Sequence, residues 1–116
     1  MEKFRELKVW HKAHKLVIKI YSITKDFPNE EKFGIVSQMR RAAISVAANI
    51  VEGTKRRTST DRKHFHVIAD TSLEELKYYI ILSTDLNFIN KQSADELISI
   101  CREIGKMLGG LNKTII

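Results

Sequence analysis

Cysteine and proline are nearly absent from this sequence, which has one of each among its 116 residues. The lone Cys101 excludes an internal disulfide and a cysteine-rich metal site, and it favours a reducing compartment. One proline and five glycines leave little room for linkers or low-complexity segments. No apolar run reaches the roughly 20 residues of a membrane span, and residues 1–6 are too charged for a secretory signal. We therefore expect one cytoplasmic domain over residues 1–116, with no role in a membrane.

Positive charge is concentrated in the first part of the chain. The net charge is +6, yet residues 1–66 hold 15 Lys and Arg against 7 Asp and Glu, and residues 67–116 hold 5 against 7. Such asymmetry fits binding to nucleic acid or another polyanion. It fits solubility or subunit pairing equally well, so composition leaves these alternatives open.

Apolar residues recur at three- and four-residue steps in four segments, and no alternating run indicates a strand. These stripes predict helices over about residues 7–24, 29–52, 59–87 and 93–111. Four amphipathic helices with short connections pack most simply as an antiparallel, up-down bundle. The predicted fold class is therefore all-α, a four-helix bundle.

Several residues predict where these helices begin and end. Asn29 fits the N-cap of the second helix, and Gly53 fits its C-terminal stop. Ser93 and Glu96 have the spacing of a capping box at the start of the fourth helix. Gly109-Gly110 should loosen the end of that helix.

The second helix has two faces that both look built for contact. One face is apolar, and the other is a polar stripe with mostly alanine between the two. Because a buried charge without a partner is strongly penalised, we expect partners for this stripe on the third helix. A ligand-binding or assembly surface and a catalytic site are the alternatives, and the alanines fit either a subunit interface or tight packing within one chain. The predicted network comprises Gln38, Arg41, Ser45, Asn49 and Glu52 with Asp70, Ser72 and Glu75.

Two groups of cations are candidates for contacting phosphates. The sharper group follows Gly53, where consecutive cations precede a helix start whose free amides favour anions. The other lies on one face of the first helix, and plain surface charge remains the alternative for both. No base-stacking aromatic residues are clearly interleaved with them, so nothing indicates sequence reading. The candidates are Lys55, Arg56, Arg57, Arg62 and Lys63, with Lys12 and Lys15 on the first helix.

Metal and cofactor chemistry has little support in the sequence. His11 and His14 could share a helical face and His64 and His66 would diverge, but no third ligand has motif spacing. Cys101 adjoins the apolar stripe of the fourth helix and is predicted to be a packed thiol. We expect no metal, no cofactor and no enzyme activity.

Several stretches together resemble a known bacterial family. They are Phe4-Arg-Glu-Leu-Lys-Val-Trp-His-Lys-Ala13, Phe27-Pro28, Ser37-Gln-Met-Arg-Arg-Ala-Ala-Ile-Ser45, Asn49-Ile-Val-Glu-Gly53 and Ile68-Ala-Asp-Thr-Ser-Leu-Glu-Glu-Leu76. They are similar to the signatures of the four-helix-bundle proteins found in intervening sequences of 23S ribosomal RNA genes. Two departures are Asp70-Thr71 before Ser72, where a glycine is common, and Val46-Ala-Ala in place of a proline-containing stretch.

The resemblance implies a helical bundle that assembles as a homopentamer, without an established enzyme activity. It also implies a distant relation to the accessory variability proteins of diversity-generating retroelements, which bind nucleic acid and reverse transcriptase. We therefore hypothesise a non-enzymatic oligomeric protein that contacts RNA or DNA phosphates through its basic surface. A protein-interaction or scaffold module is the alternative, and a small hydrolase or nuclease using Glu52, Asp70 and a histidine is a third.

Overall fold

A computed structural model describes residues 1–114, which form four α-helices and two short 3-10 segments without any strand. The helices are α1 (Lys8–Thr24), α2 (Ile35–Gly53), α3 (Ser59–Asp85) and α4 (Lys91–Thr114). The 3-10 segments are Lys3–Glu6, before α1, and Asn29–Glu31, between α1 and α2. Short connections make successive helices antiparallel, and α1 and α3 each pack against both α2 and α4. The predicted all-α four-helix bundle is confirmed, and it measures 44 × 22 × 22 Å.

The core forms where the apolar stripes of the four helices meet along the bundle axis. Its buried side chains include Val9, Ala13, Leu16, Ile20, Met39, Ala43, Val46, Ile50, Ala69, Leu73, Leu76, Ile80, Leu97, Ile104 and Leu108. Cys101 is part of this core, and desolvation by burial raises the pKa of its thiol to about 12. The prediction of a packed thiol is confirmed. None of the helices within residues 1–114 is long and apolar enough to cross a lipid bilayer.

Two predicted helix boundaries are wrong. The segment beginning at Asn29 forms only a 3-10 turn, and α2 starts after Gly34, which is its N-cap. The proposed capping box lies inside α4, because the helix begins at Lys91 and the side chain of Asn90 accepts the amide of Ser93 at 2.8 Å. The helix continues through Gly109-Gly110 to Thr114.

A tight turn after α3 closes one end of the bundle. Asn87 has a φ of 63°, in the left-handed region that asparagine tolerates. The amide of Phe88 donates to the carbonyl of Ser83 at 2.8 Å, and the amide of Asn87 donates to that of Thr84 at 3.0 Å. These two bonds make a Schellman motif. We call this end, formed by residues 25–34 and 86–90, the distal end.

Candidate functional site

The opposite end of the bundle carries the connection between α2 and α3. Lys55, Arg56 and Arg57 are exposed there, one after another, directly past the end of α2. The connection ends at Thr58, whose hydroxyl accepts the amide of Asp61 at 3.1 Å and so caps the start of α3. The chain therefore presents three adjacent cations from a short segment that is fixed at both sides.

Two arginines at this end are held by contacts that leave their charge largely unneutralised. Arg62 donates from Nη1 to the main-chain carbonyls of Arg56 at 3.2 Å and Arg57 at 3.1 Å. The guanidinium of Arg56 lies 4.4 Å from the centre of the Phe65 ring, and its nearest carboxylate, Glu52, is 3.9 Å away. Both guanidinium groups are thus partly ordered before any ligand arrives, which reduces the entropy cost of binding.

The N-terminal segment adds a cation that sequence reasoning missed. Lys3 lies in the 3-10 segment before α1, and it lines a cavity of about 200 Å³ together with Arg56 and Arg62. Leu7 and His66 contribute to the same cavity. No sequence spacing links Lys3 to Arg56 or Arg62, because only the antiparallel return of the chain brings them together. We define the basic end by its cations: Lys3, Lys55, Arg56, Arg57 and Arg62.

Aromatic side chains also gather near the start of α1. Trp10 is half-buried, with Phe4 at a centroid distance of 5.0 Å and with His14 stacked on it at 5.0 Å and an interplanar angle of 10°. Phe4 directly follows Lys3, so this cluster adjoins the basic end. The sequence has no aromatic residues clearly interleaved with these cations. In the structure, the nearby aromatic side chains come from the N-terminal segment and α1 instead.

The other three predicted phosphate contacts do not line the cavity at the basic end. Lys12 forms an ion pair across the bundle with Glu103 on α4, at 3.0 Å. Lys15 is exposed on α1, and Lys63 is half-buried in the first turn of α3, directly after Arg62. Lys12 and Lys15 can add to the overall potential, whereas Lys63 adjoins the cations of the basic end.

The polar stripe of α2 meets α3 through hydroxyl groups. Ser45 and Ser72 are hydrogen-bonded at 2.8 Å, and Asn49 donates from Nδ2 to the carbonyl and the hydroxyl of Ser45 at 2.8 and 3.1 Å. Arg41 and Glu75 line an open groove of about 300 Å³ over this contact, and Gln38 is its third polar rim residue. No ion pair joins α2 to α3 among residues 1–114. The expected network is therefore built from hydroxyl and amide groups rather than from charges.

Two predicted members of the polar network lie elsewhere. Asp70 faces α4, where a Cβ on Gly105 would come within 3.3 Å of its Oδ1. Glu52 is exposed near the end of α2, with its carboxylate toward Arg56. Glu52 and Asp70, the two carboxylates considered for hydrolysis, thus face different parts of the bundle. Within the described residues, no group of three His, Cys, Asp or Glu side chains could hold a metal ion.

Comparison with known proteins identifies the family. The sequence model of the 23S rRNA-intervening sequence proteins matches residues 5–110. The chain belongs to this family. The matched range includes the loop after α2 and the polar stripe, whereas Lys3 and the cavity residue Leu111 lie outside it.

A solved structure supports the assignment to the 23S rRNA-intervening sequence protein family. A crystal structure of a protein of the S23 ribosomal protein family from Bacteroides thetaiotaomicron, with unknown function, superposes with a TM-score of 0.84. Its sequence is 26% identical, and the match covers 91% of this chain and 99% of that one. No curated protein matches the chain significantly. The fold and the family are thus shown, and neither comparison brings an activity with it.

Proposed function

We propose that this chain is a non-enzymatic, oligomeric protein that binds single-stranded nucleic acid through the phosphates. The observation that carries this proposal is the convergence of cations from three segments at the basic end. Arg56 and Arg62 are positioned there by a ring face and by main-chain carbonyls rather than by close ion pairs. Cations held in this way remain available to phosphate oxygens, which they can bind in pairs.

The aromatic cluster favours a single strand over a duplex. Unpaired bases stack on aromatic side chains, whereas a duplex keeps its base faces covered. Trp10 and His14 provide a stacked aromatic pair near the start of α1, and His14 is exposed. Contacts to phosphates and base faces carry no strong sequence preference, so binding should depend weakly on sequence.

An apolar surface between α1 and α2 supports the oligomeric part of the proposal. Ile18, Tyr21 and Ile44 are 57%, 41% and 43% exposed along this edge, although Tyr21 is partly covered by Arg40 at 4.4 Å. Exposed apolar side chains on neighbouring helices are candidates for a subunit contact. The family resemblance supports five subunits.

Light scattering tests the assembly. Ile44→Glu should lower the measured mass, because it places a charge in the proposed contact. Ile81→Glu on α3 is the matched control, since Ile81 is 49% exposed away from this edge. Equal masses for the wild type and Ile44→Glu would contradict the use of this surface.

Fluorescence anisotropy with a labelled oligonucleotide at low ionic strength tests the binding function. Changing Lys55, Arg56 and Arg57 together to glutamine should abolish most of the affinity, because it removes the exposed cations of the loop. A control with the same loss of charge changes three lysines toward the distal end: Lys19, Lys25 and Lys32. Absence of affinity in the wild type, or an equal loss in both triple variants, would refute the proposal.

A scaffold role without nucleic acid is the second candidate. The open groove over the Ser45–Ser72 contact favours it, because Arg41 and Glu75 offer both signs of charge to a protein partner. Arg41→Ala should then change the oligomer mass or the capture of a partner, and the wild type should show no affinity for RNA. If Arg41→Ala weakens RNA binding as strongly as the triple change in the loop does, the groove belongs to the nucleic-acid surface instead.

A further inference from the structure

The cavity at the basic end combines groups that simple phosphate contact does not require. Its volume is about 200 Å³, and two of its walls are the apolar side chains of Leu7 and Leu111. Cations from Lys3, Arg56 and Arg62 stand at the same cavity. A ligand that fills it must therefore present an anion and an uncharged body together.

His66 gives the cavity a specific polar group. The ring is only 4% exposed, and its Nδ1 is hydrogen-bonded to Oδ1 of Asn112. Because the amide oxygen of Asn112 can only accept, Nδ1 donates, and Nε2 is the acceptor in this tautomer. No group among residues 1–114 donates to Nε2, and since no fully buried side-chain nitrogen or oxygen there lacks a hydrogen-bond partner, Nε2 is accessible to solvent. A ligand in the cavity can supply the donor.

Gly53 keeps this edge of the imidazole open. A Cβ at this position would lie 3.2 Å from Nε2 and 3.4 Å from Cδ2 of His66. The backbone of Gly53 does not need its conformational freedom, because no glycine among residues 1–114 has a positive φ. A side chain here would therefore crowd Nε2, and glycine leaves that space open.

We propose that the cavity binds a nucleoside 5′-phosphate, either free or as the phosphorylated end of an RNA strand. The phosphate lies between Arg56 and Arg62, a ribose hydroxyl donates to Nε2 of His66, and the base packs against Leu7 and Leu111. Inorganic phosphate alone leaves the apolar walls of Leu7 and Leu111 uncovered, which is why a nucleotide fits better. This inference rests on the proposed function where the ligand is the end of a strand.

RNA strands that differ only at the 5′-terminal nucleotide measure the phosphate contact and the ribose contact separately. In the wild type, removing the 5′-phosphate should weaken binding about tenfold, since charge-assisted hydrogen bonds are lost. Within a strand, the 5′-terminal nucleotide has only its 2′-hydroxyl free, so a 2′-deoxy residue at that position should weaken binding about fivefold. A 2′-deoxy residue in the middle of the strand is the control and should have no effect.

Variants of the cavity residues test whether the effects of the 5′-phosphate and the terminal 2′-hydroxyl arise in the cavity. Leu111→Trp fills the space from a half-buried position. In this variant the 5′-phosphorylated strand should bind no better than the 5′-hydroxyl strand, and the 2′-deoxy residue at the 5′ end should have no effect. Arg62→Gln should remove the phosphate effect, and Arg102→Gln, an exposed position on α4 with the same charge change, should not. Thermal unfolding monitored by circular dichroism shows that each variant is folded.

Titration calorimetry with adenosine 5′-phosphate and with adenosine distinguishes a free nucleotide from a strand end. If the nucleotide binds to the wild type but not to Leu111→Trp, and the 5′ end of RNA has no effect on binding, the cavity binds a free nucleotide. If the wild type shows neither nucleotide binding nor an end effect, the cavity proposal is overturned, and intact binding of the strand leaves the proposed function standing. If no RNA binds at all, the proposed function fails, and calorimetry alone decides for or against the cavity.

Discussion

Replacing Arg57 by glutamine should reduce the salt dependence of RNA binding by the amount of one phosphate contact. Arg57 is exposed, and its carbonyl rather than its guanidinium holds Arg62, so the change removes a charge without disturbing that anchor. The basic end has five cations, of which Arg56 and Arg62 line the same cavity and share one phosphate in the proposed binding mode. We therefore expect about four phosphates to be neutralised, and a log–log slope of about 2.8 on a single strand.

The expected loss of affinity follows from this slope. Raising the salt concentration from about 50 to about 200 mM should weaken binding about 50-fold in the wild type. In Arg57→Gln the slope should fall to about 2.1, and the same change of salt should weaken binding about 18-fold.

Anisotropy titrations over a series of salt concentrations measure both slopes. Lys19→Gln is the matched control, because this exposed lysine is on α1 toward the distal end and carries the same charge. Its slope should equal that of the wild type. The reasoning is refuted if Arg57→Gln keeps the wild-type slope, or if Lys19→Gln lowers it equally, since net charge rather than the basic end would then determine binding.

Further predictions concern the stability of the bundle. Ser45→Ala and Ser72→Ala should each lower the free energy of unfolding by about 1 kcal/mol, with the double variant less than additive; urea denaturation tests this, and strict additivity would contradict their hydrogen bond. Because burial raises the pKa of the Cys101 thiol from 9.0 to about 12, the unfolded chain loses this proton first, and stability should fall between about pH 9 and about pH 12. Urea denaturation across this range should show a smaller fall for Cys101→Ala, and an equal fall would contradict the buried thiol. Gly109→Ala and Gly110→Ala should each raise the free energy of unfolding by about 0.5 kcal/mol, because nothing within residues 1–114 approaches either Cβ position within 4 Å; destabilisation in urea would show that a close contact exists there.

The fold was predictable because the core follows local periodicity. Residues such as Leu16, Ile50 and Leu76 recur at helical spacing, and each is buried where its stripe predicts. Helix ends depend instead on single side chains whose partners periodicity does not reveal. Asn90 and Ser93 are both good capping residues, so the sequence alone does not say where α4 begins. In the structure the side chain of Asn90 accepts the amide of Ser93, which makes Asn90 the cap.

The candidate site was predictable only in its contiguous part. Lys55, Arg56 and Arg57 are adjacent in sequence, so their clustering needed no knowledge of the fold. Lys3 and His66 join them only after the chain has returned to the same end, and no local pattern reports such a meeting. The expected ion pairs of α2 failed for a related reason. Exposed charges such as Arg41 can remain solvated, and the buried part of the contact needed only hydroxyl groups.

The antiparallel topology explains why function concentrates at one end. The start of α1, the end of α2, the start of α3 and the end of α4 all meet there. Groups far apart in sequence, such as His66 and Asn112, can then share one hydrogen bond. One helical turn advances about 5.4 Å along the axis, so ending α4 one turn earlier would remove Asn112 from His66 and Leu111 from the cavity. The continuation of α4 through Gly109-Gly110, against the low helix propensity of glycine, is therefore what completes the site.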